Sequence, residues 1–387
     1  MEPSENPVPP PHPTPAATPP PLSASIAPGP SPIYPARPAP PRSSNGWKWA
    51  VGLIALGCLG FWLVGLFGHN NSHPRKAKLD GKFYQEHTLT DKDVDDKILV
   101  IEIGGVISSH DMDGSGNMVE RVKDEFELAS KDDLIKAVLL KVDSPGGEVL
   151  ASDDIYQIIR EFQEKTGKPV VATMGSLAAS GGYYVSAPCR WIVAHELTIT
   201  GSIGVIMSGL NVRGLMDKVG IRPEVYKSGK FKDMMSSTRP PEEVTAAERQ
   251  MVQALIDETY GTFKAVVGKG RADSRAQNTK AGLDKESRAL TSDWELYADG
   301  RIFSGREAHK LGFVDELGGF EVAMNRAKKL AGITEANVVK FEQPFNFGNF
   351  FRLFGKSEAR GVKVDLGLDF PRLQAGRMYF LSPTILQ

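Results

Sequence analysis

The stretch best fitted to do chemistry is Gly175 to Pro188, GSLAASGGYYVSAP, with Ser180 at its centre. It leaves an apolar segment, Pro169 to Met174, that reads as a buried strand, and it enters an apolar segment fit to start a helix. A serine at such a turn is held near helix N-terminal amides, and small neighbours let another backbone come close, as a nucleophile requires. A tightly packed turn in an α/β core has the same composition, and this stretch alone does not decide between the two. A second small-residue turn, Asp143 to Gly147 (DSPGG), follows another apolar run. Neither glycine turn carries the GxxxxGK[ST] or GxGxxG spacing of a nucleotide loop.

A serine nucleophile needs a base. The histidines are His12, His69, His73, His87, His110, His195 and His309, and only His195, in VAHEL, lies near the serine turn in sequence. It is a weak triad candidate. His69 and His73 are the one close pair and lack a third ligand, so no metal site is expected there. Lysine can replace histidine where burial lowers its pKa toward neutrality. Lys227, Lys230 and Lys232 lie together after an expected strand at Pro223 to Lys227, although such a cluster taken alone reads as solvated surface.

The elements that must position these residues follow from periodicity. Lys97 to Ile103 and Ile135 to Val142 read as strands, Asn117 to Ser130 and about Ser152 to Lys165 as amphipathic helices. Strand, turn, helix, strand, turn, helix is the βαβ pattern of a parallel sheet with crossover helices. Ligands on such sheets collect beyond the strands' carboxyl ends, where both small-residue turns fall. Further on, Arg190 to Ala194 is strand-like, and Leu197 to Met207 breaks at Gly201-Ser202 before another apolar strand. A long helix starts near Thr245, where Thr245 and Glu248 fit a capping box and Val252, Ile256, Phe263 and Val267 mark one face. Helical pattern returns from Glu321 to Leu330.

The chain has 387 residues and a formal net charge of -1, and no basic stripe interleaved with aromatics, so no nucleic-acid partner is expected. Its two cysteines, Cys58 and Cys189, support neither a disulfide framework nor a zinc site. The proline-rich arm, residues 1–46, cannot bury enough apolar surface to order itself and reads as a polyproline-like spacer. Trp49 to Gly68 is an unbroken apolar run long enough to span a bilayer as a helix. The arm before it, the run's length and the absence of a small-residue cleavage site speak against a signal peptide. The expected organisation is therefore arm 1–46, transmembrane helix 47–68, linker 69–94, catalytic domain 95–340 and C-terminal tail 341–387. Basic residues flank the helix on both sides, so charge does not orient it. The aromatic cluster FNFGNFFRLFG in the tail calls for a covering surface.

Five ordered blocks carry a resemblance: SPGGEVLASDDIY (Ser144 to Tyr156), SLAASGGYYVSAP, TGSIGVI (Thr200 to Ile206), KSGKFKDM (Lys227 to Met234) and ADGRIFSGREAHKLGFVDELGG (Ala298 to Gly319). Over about Lys97 to Ala331 the chain resembles the signal peptide peptidase A family, membrane-anchored serine-lysine peptidases with a ClpP/crotonase-like α/β fold. The resemblance implies Ser180 as nucleophile, Lys232 as general base in preference to Lys230, and Ser202 as the hydroxyl that orients the lysine. It implies an oxyanion hole from the backbone amides of Gly147 and Gly181, and no metal or organic cofactor.

Its further implications are an extracytoplasmic peptidase domain on a single-pass cell-membrane anchor, a cytoplasmic arm, and remnant signal peptides or other membrane-associated peptides as substrates. With one copy of each block, the chain is expected to form a homo-oligomeric ring, an octamer by resemblance, in which serine and lysine come from adjacent protomers. A catalytically inactive scaffold of the same fold is the alternative, disfavoured by the intact Ser180, Lys232 and Ser202. A crotonase-type acyl-CoA enzyme is disfavoured by the anchor and the serine-lysine pairing.

Overall fold

A computed structural model describes residues 76–79, 82–110, 117–343 and 378–381. The expected transmembrane helix, the proline-rich arm and most of the tail lie outside the described residues. Among the described residues, no helix is long and apolar enough to cross a membrane.

The apolar runs become strands in the order that their composition suggests. β3 (Lys97–Gly104), β4 (Ile135–Ser144), β6 (Val170–Ala179) and β7 (Trp191–Ala194) pair in parallel as the centre of one sheet. Their side chains are buried on both faces, which explains why they read as continuous apolar runs and not as alternating ones. The crossovers are α1 (Met118–Lys131), capped by the Asn117 side chain, and α2 (Val149–Thr166), closed by Gly167 in the left-handed conformation.

β1 (Lys76–Leu79) and β2 (Lys82–Thr90) extend the sheet into the segment assigned to the linker 69–94. They join through β11 (Asn337–Glu342), which runs antiparallel to β2 and parallel to β3. At the other edge lies β10 (Glu316–Leu317), parallel to β7. β6 is long enough to leave its first half on β7 and pair its second half with β8 (Ile199–Gly201), which in turn pairs with β9 (Ile302–Ser304).

The short helix α3 (Gly181–Ser186) follows β6 directly. α4 (Arg213–Lys218), α5 (Ala246–Lys280), α6 (Gly305–Leu311) and α7 (Phe320–Ala331) complete the helices. α5 opens with the expected Thr245/Glu248 capping box. Its second half is tied to the sheet by the buried Arg271–Asp315 ion pair, whose carboxylate also accepts from the Ile192 amide at 2.8 Å.

Two expected strands do not form. After Ser202 the chain makes only an isolated bridge at Ile206, and Pro223 to Lys227 is irregular. Both segments are apolar enough for strands, but the described sheet offers them no neighbouring strand, and Val225 and Tyr226 stay exposed.

Candidate active site

Ser180 stands where β6 ends and α3 begins, as the helix N-cap. Its backbone is held at φ 55° and ψ -117°, a conformation that costs a non-glycine residue of order 1–3 kcal/mol and persists only where surroundings fix it. Two hydrogen bonds do so: the Ser180 amide donates to the Gly201 carbonyl at 2.8 Å, and the Ser180 carbonyl accepts from the Tyr184 amide at 2.9 Å. The side chain is 1 % exposed, and its Oγ makes no hydrogen bond among the described residues. A buried hydroxyl without a partner is costly in a structural role, so this one calls for an explanation.

The DSPGG turn comes to the same place. β4 ends at Ser144, whose Oγ donates to the Gly105 carbonyl at 2.6 Å, and the chain continues into the short strand β5 (Gly146–Glu148). Gly146 has φ +104°, and a Cβ there would lie 2.7 Å from the Gly181 amide nitrogen. A Cβ on Gly181 would lie 3.0 Å from the Gly147 amide nitrogen. The two small-residue turns therefore bring the Gly147 and Gly181 amides together beside Ser180, and only glycine permits the approach. Ile107 pairs with Gly147 on β5's far side, a contact with no local signal in the sequence.

Ser202 is brought to the same spot by strand pairing. Ala179 is opposite Gly201, so Ser180 and Ser202 each follow one member of a paired couple. Ser202 is buried, takes φ 51°, and donates its amide to the Arg301 carbonyl at 2.7 Å.

The lysines are placed otherwise. Lys227 pairs with Asp233 at 2.6 Å, and the Lys230 ammonium lies over the Phe231 ring at 5.1 Å. Lys232 is exposed and its ammonium makes no hydrogen bond or ion pair among the described residues. It does not meet the Ser180 hydroxyl within this chain. His195 is exposed, its Nδ1 accepts from the Leu197 amide, and it makes no bond to Ser180. His69 and His73 lie outside the described residues, and no cluster of three or more metal-ligating side chains occurs among the described ones.

The segment carrying Lys232 exposes Leu210 (85 %), Leu215, Val219, Ile221, Val225 and Tyr226 (92 %). Exposed apolar side chains gathered on one segment are the pattern of an interaction surface.

An aromatic cluster in the core adjoins the Ser180 turn. Tyr184 on α3 faces Phe263 on α5 at 4.9 Å between ring centres and Tyr156 on α2 at 5.6 Å. The Tyr184 hydroxyl donates to Asp153 at 2.7 Å, and burial raises its pKa, so it stays a neutral donor. Tyr184 was legible as part of SGGYY, whereas Phe263 looked like an ordinary core position of a long helix.

The model of peptidase family S49 matches residues 162–334. A provisionally named protease of Synechocystis, slr0021, is 40 % identical over 237 residues, covering 61 % of this chain and 75 % of that protein. A provisionally named protease of Methanocaldococcus jannaschii, MJ0651, is 39 % identical over 239 residues, covering 62 % of this chain and 68 % of that one. A protein of Enterococcus faecium, provisionally named signal peptide peptidase SppA, is 33 % identical over 305 residues, covering 76 % of this chain and 82 % of its own. With the mostly parallel α/β sheet and the turns that meet at Ser180, these likenesses have one reading: the chain belongs to peptidase family S49 and is SppA-like.

Proposed function

We propose that this protease is a membrane-anchored serine endopeptidase that uses a Ser180–Lys232 dyad on remnant signal peptides or other membrane-associated peptides. The observation that carries the reading is the buried, unpartnered Ser180 Oγ on a strained turn beside the convergent Gly147 and Gly181 amides.

In this mechanism the neutral Lys232 amine takes the Ser180 proton as Oγ attacks the peptide carbonyl carbon. The oxygen, now negative, is held by the Gly147 and Gly181 amides, where each preorganised donor contributes about 3 kcal/mol to the transition state. Lys232 returns the proton to the departing amine as the carbon–nitrogen bond breaks. Water, deprotonated by the Lys232 amine, then attacks the acyl carbon, and Lys232 passes that proton to Ser180 Oγ as the acyl–oxygen bond breaks. Ser202 holds the lysine amine in line with Oγ.

Because Lys232 does not meet Ser180 within one chain, the dyad is assembled between adjacent copies in a ring. The exposed apolar side chains from Leu210 to Tyr226 support that contact. The apolar run Trp49 to Gly68 supports anchorage; the family resemblance supports a peptidase domain outside the cytoplasm and an arm inside.

Labelling the full chain with a serine-reactive phosphonate and mapping the adduct by mass spectrometry tests this reading. The adduct is expected on Ser180 and absent from Ser180→Ala. A Ser180→Ala variant that still cleaves peptide at the wild-type rate would overturn Ser180 as the nucleophile, and a wild-type chain that neither takes the label nor cleaves peptide would favour the scaffold reading.

A further inference from the structure

The block ADGRIFSG, from Ala298 to Gly305, holds no residue that the mechanism uses, yet it closes on the segment that carries Ser202. Its first part is a turn of the kind that aspartate and glycine favour. The Asp299 carboxylate accepts from the Arg301 amide at 3.2 Å, and Gly300 between them takes φ +91°. The Arg301 guanidinium folds back on the same carboxylate through two bonds, from Nε at 2.7 Å and from a terminal nitrogen at 2.5 Å. It also lies over the Tyr297 ring, 5.6 Å from the ring centre. The guanidinium, helped by the amide, holds the Asp299 carboxyl at about 2, so the carboxylate keeps its charge at neutral pH. On the other side, the Ala298 carbonyl accepts from the Tyr260 hydroxyl on α5. The turn is thereby fixed by its own side chains and by the long helix.

What the turn presents is a carbonyl. The Arg301 oxygen accepts from the Ser202 amide at 2.7 Å, just beyond the pairing of Gly201 with Ile302. Ser202 is at φ 51°, which a non-glycine residue keeps only where its neighbours impose it. The same two segments meet again two residues on, where a Cβ on Gly204 would lie 3.3 Å from the Gly300 Cα. A serine Oγ sits one rotatable bond from the backbone, so whatever fixes the Ser202 backbone also fixes the few directions open to its hydroxyl.

We propose that the Asp299–Gly300–Arg301 turn is the positioning element for Ser202, with Asp299 as its positioning residue, and that through Ser202 it sets where the Lys232 amine stands relative to Ser180 Oγ. The inference rests on the reading in which Ser202 orients Lys232. Asp299 acts on the carbonyl that acts on Ser202, and is assigned no contact with substrate or lysine. Because that reading takes the lysine from a neighbouring copy, the turn gives each protomer a receiver shaped before the lysine arrives. Its value lies in alignment, since an error of about 1 Å in a reacting group can cost on the order of a hundredfold in rate. The Asp299–Arg301 pair is half-exposed, so its loss should leave the fold's stability nearly untouched and show in the rate instead.

The test is a double-mutant cycle on the full chain in detergent, with a fluorogenic peptide as substrate. Asp299→Ala is expected to lower kcat about tenfold, with KM within about twofold and the thermal midpoint near wild type. Asp299→Asn, which keeps an oxygen for the Arg301 amide, should bring kcat back to within about threefold of wild type. Ser202→Ala should be slow by itself, and adding Asp299→Ala to it should lower kcat by less than about twofold more, because the group that the turn directs is gone. A wild-type kcat in Asp299→Ala, or losses that multiply in the double variant, overturns the inference and leaves the Ser180–Lys232 dyad standing. A wild-type kcat in Ser202→Ala removes Ser202 from the mechanism and the turn with it. An active Ser180→Ala chain sinks the underlying reading first, and the inference falls with it.

Discussion

Two regions of this molecule are built to opposite rules. From Ser144 to Glu148, from Ala178 to Cys189 and from Thr200 to Ile203 the chain is buried, and its turns are fixed by backbone hydrogen bonds and by glycines against which no Cβ fits. Between Ser208 and Val244 no sheet strand forms, Leu210 and Tyr226 face outward, and Lys232 stands clear of other side chains among the described residues. The first region is held by its own backbone contacts, with the Ser180 hydroxyl left unpartnered among the described residues. The second sets apolar side chains such as Leu210 and Tyr226 outward among many charged ones, the pattern expected of a surface that meets a partner.

That contrast can be broken most severely by substituting one residue from each region. Ser180→Ala and Lys232→Ala should each lose about a thousandfold or more in kcat, as removal of a member of a catalytic unit does. Lys232→Ala should leave stability within about 0.5 kcal/mol, because an exposed side chain is lost. Co-expressing the two inactive variants should restore about a quarter of wild-type activity if each site draws on two copies in a randomly mixed ring. No recovery in the mixed, purified assembly would mean that serine and lysine come from one chain.

A smaller effect is expected from the outward apolar side chains. Tyr226→Lys with Leu210→Glu should shift the assembly toward monomers in analytical ultracentrifugation and lower activity in step, while the thermal midpoint of the isolated fold stays near wild type. A monodisperse, fully active monomer would separate the exposed patch from catalysis.

Smaller still, and opposite in sign, is the effect of relieving the turn. Ser180→Gly removes the strain of a positive φ and should stabilise the fold by about 1 kcal/mol in chemical denaturation while abolishing hydrolysis. A loss of stability would show that the hydroxyl, and not the backbone, is what the turn holds.

The smallest concerns the start of α5, where the lysine region meets the ordered body. Arg239, with Thr245, holds the Glu248 carboxyl at about 2, well below its usual range. A group depressed in the folded state contributes stability above its unfolded pKa and loses it as pH falls through the folded one. Wild type should therefore lose stability between about pH 4.5 and 2, and Glu248→Gln should lose the same increment already at neutral pH and show no such slope. Matching acid titrations of the two proteins would remove Glu248 from the account.

The two regions also differ in how far the sequence disclosed them. The strands from Lys97 to Ala194 were legible as continuous apolar runs and their helices by a helical period, with α1 capped at Asn117 and α2 closing at Gly167. The meeting of DSPGG with SGG followed from parallel topology, since both turns end neighbouring strands. Pairings between distant segments were not legible. β1 and β2 sit in KAKL and KFYQEHTLT, whose modest apolar content becomes a strand only beside β11. Nothing local in TGSIGVI shows that Ile206 will bridge to Tyr379 and leave no longer strand, because the partner lies near the C-terminus. Phe263 was read correctly as an inward face of a helix, but the ring that it receives comes from Phe380. Lys232 could be assigned a role only through resemblance, since an exposed lysine in a basic cluster has no local mark of reactivity.

The long helix α5 has a consequence of its own. It runs for 35 residues, about 52 Å at helical rise. Its second half is riveted to the body by Arg271, Ser274 and Asn278, whereas its first half is mostly solvent-facing. Such a member behaves as an outrigger. In the proposed ring it would set how far from Ser180 a protomer carries its Lys232 loop, and hence the span at which the next protomer would stand. Deleting one turn would shorten that span by about 5.4 Å with little change of rotational phase. Ring diameter in this protein would then be a length written into one helix.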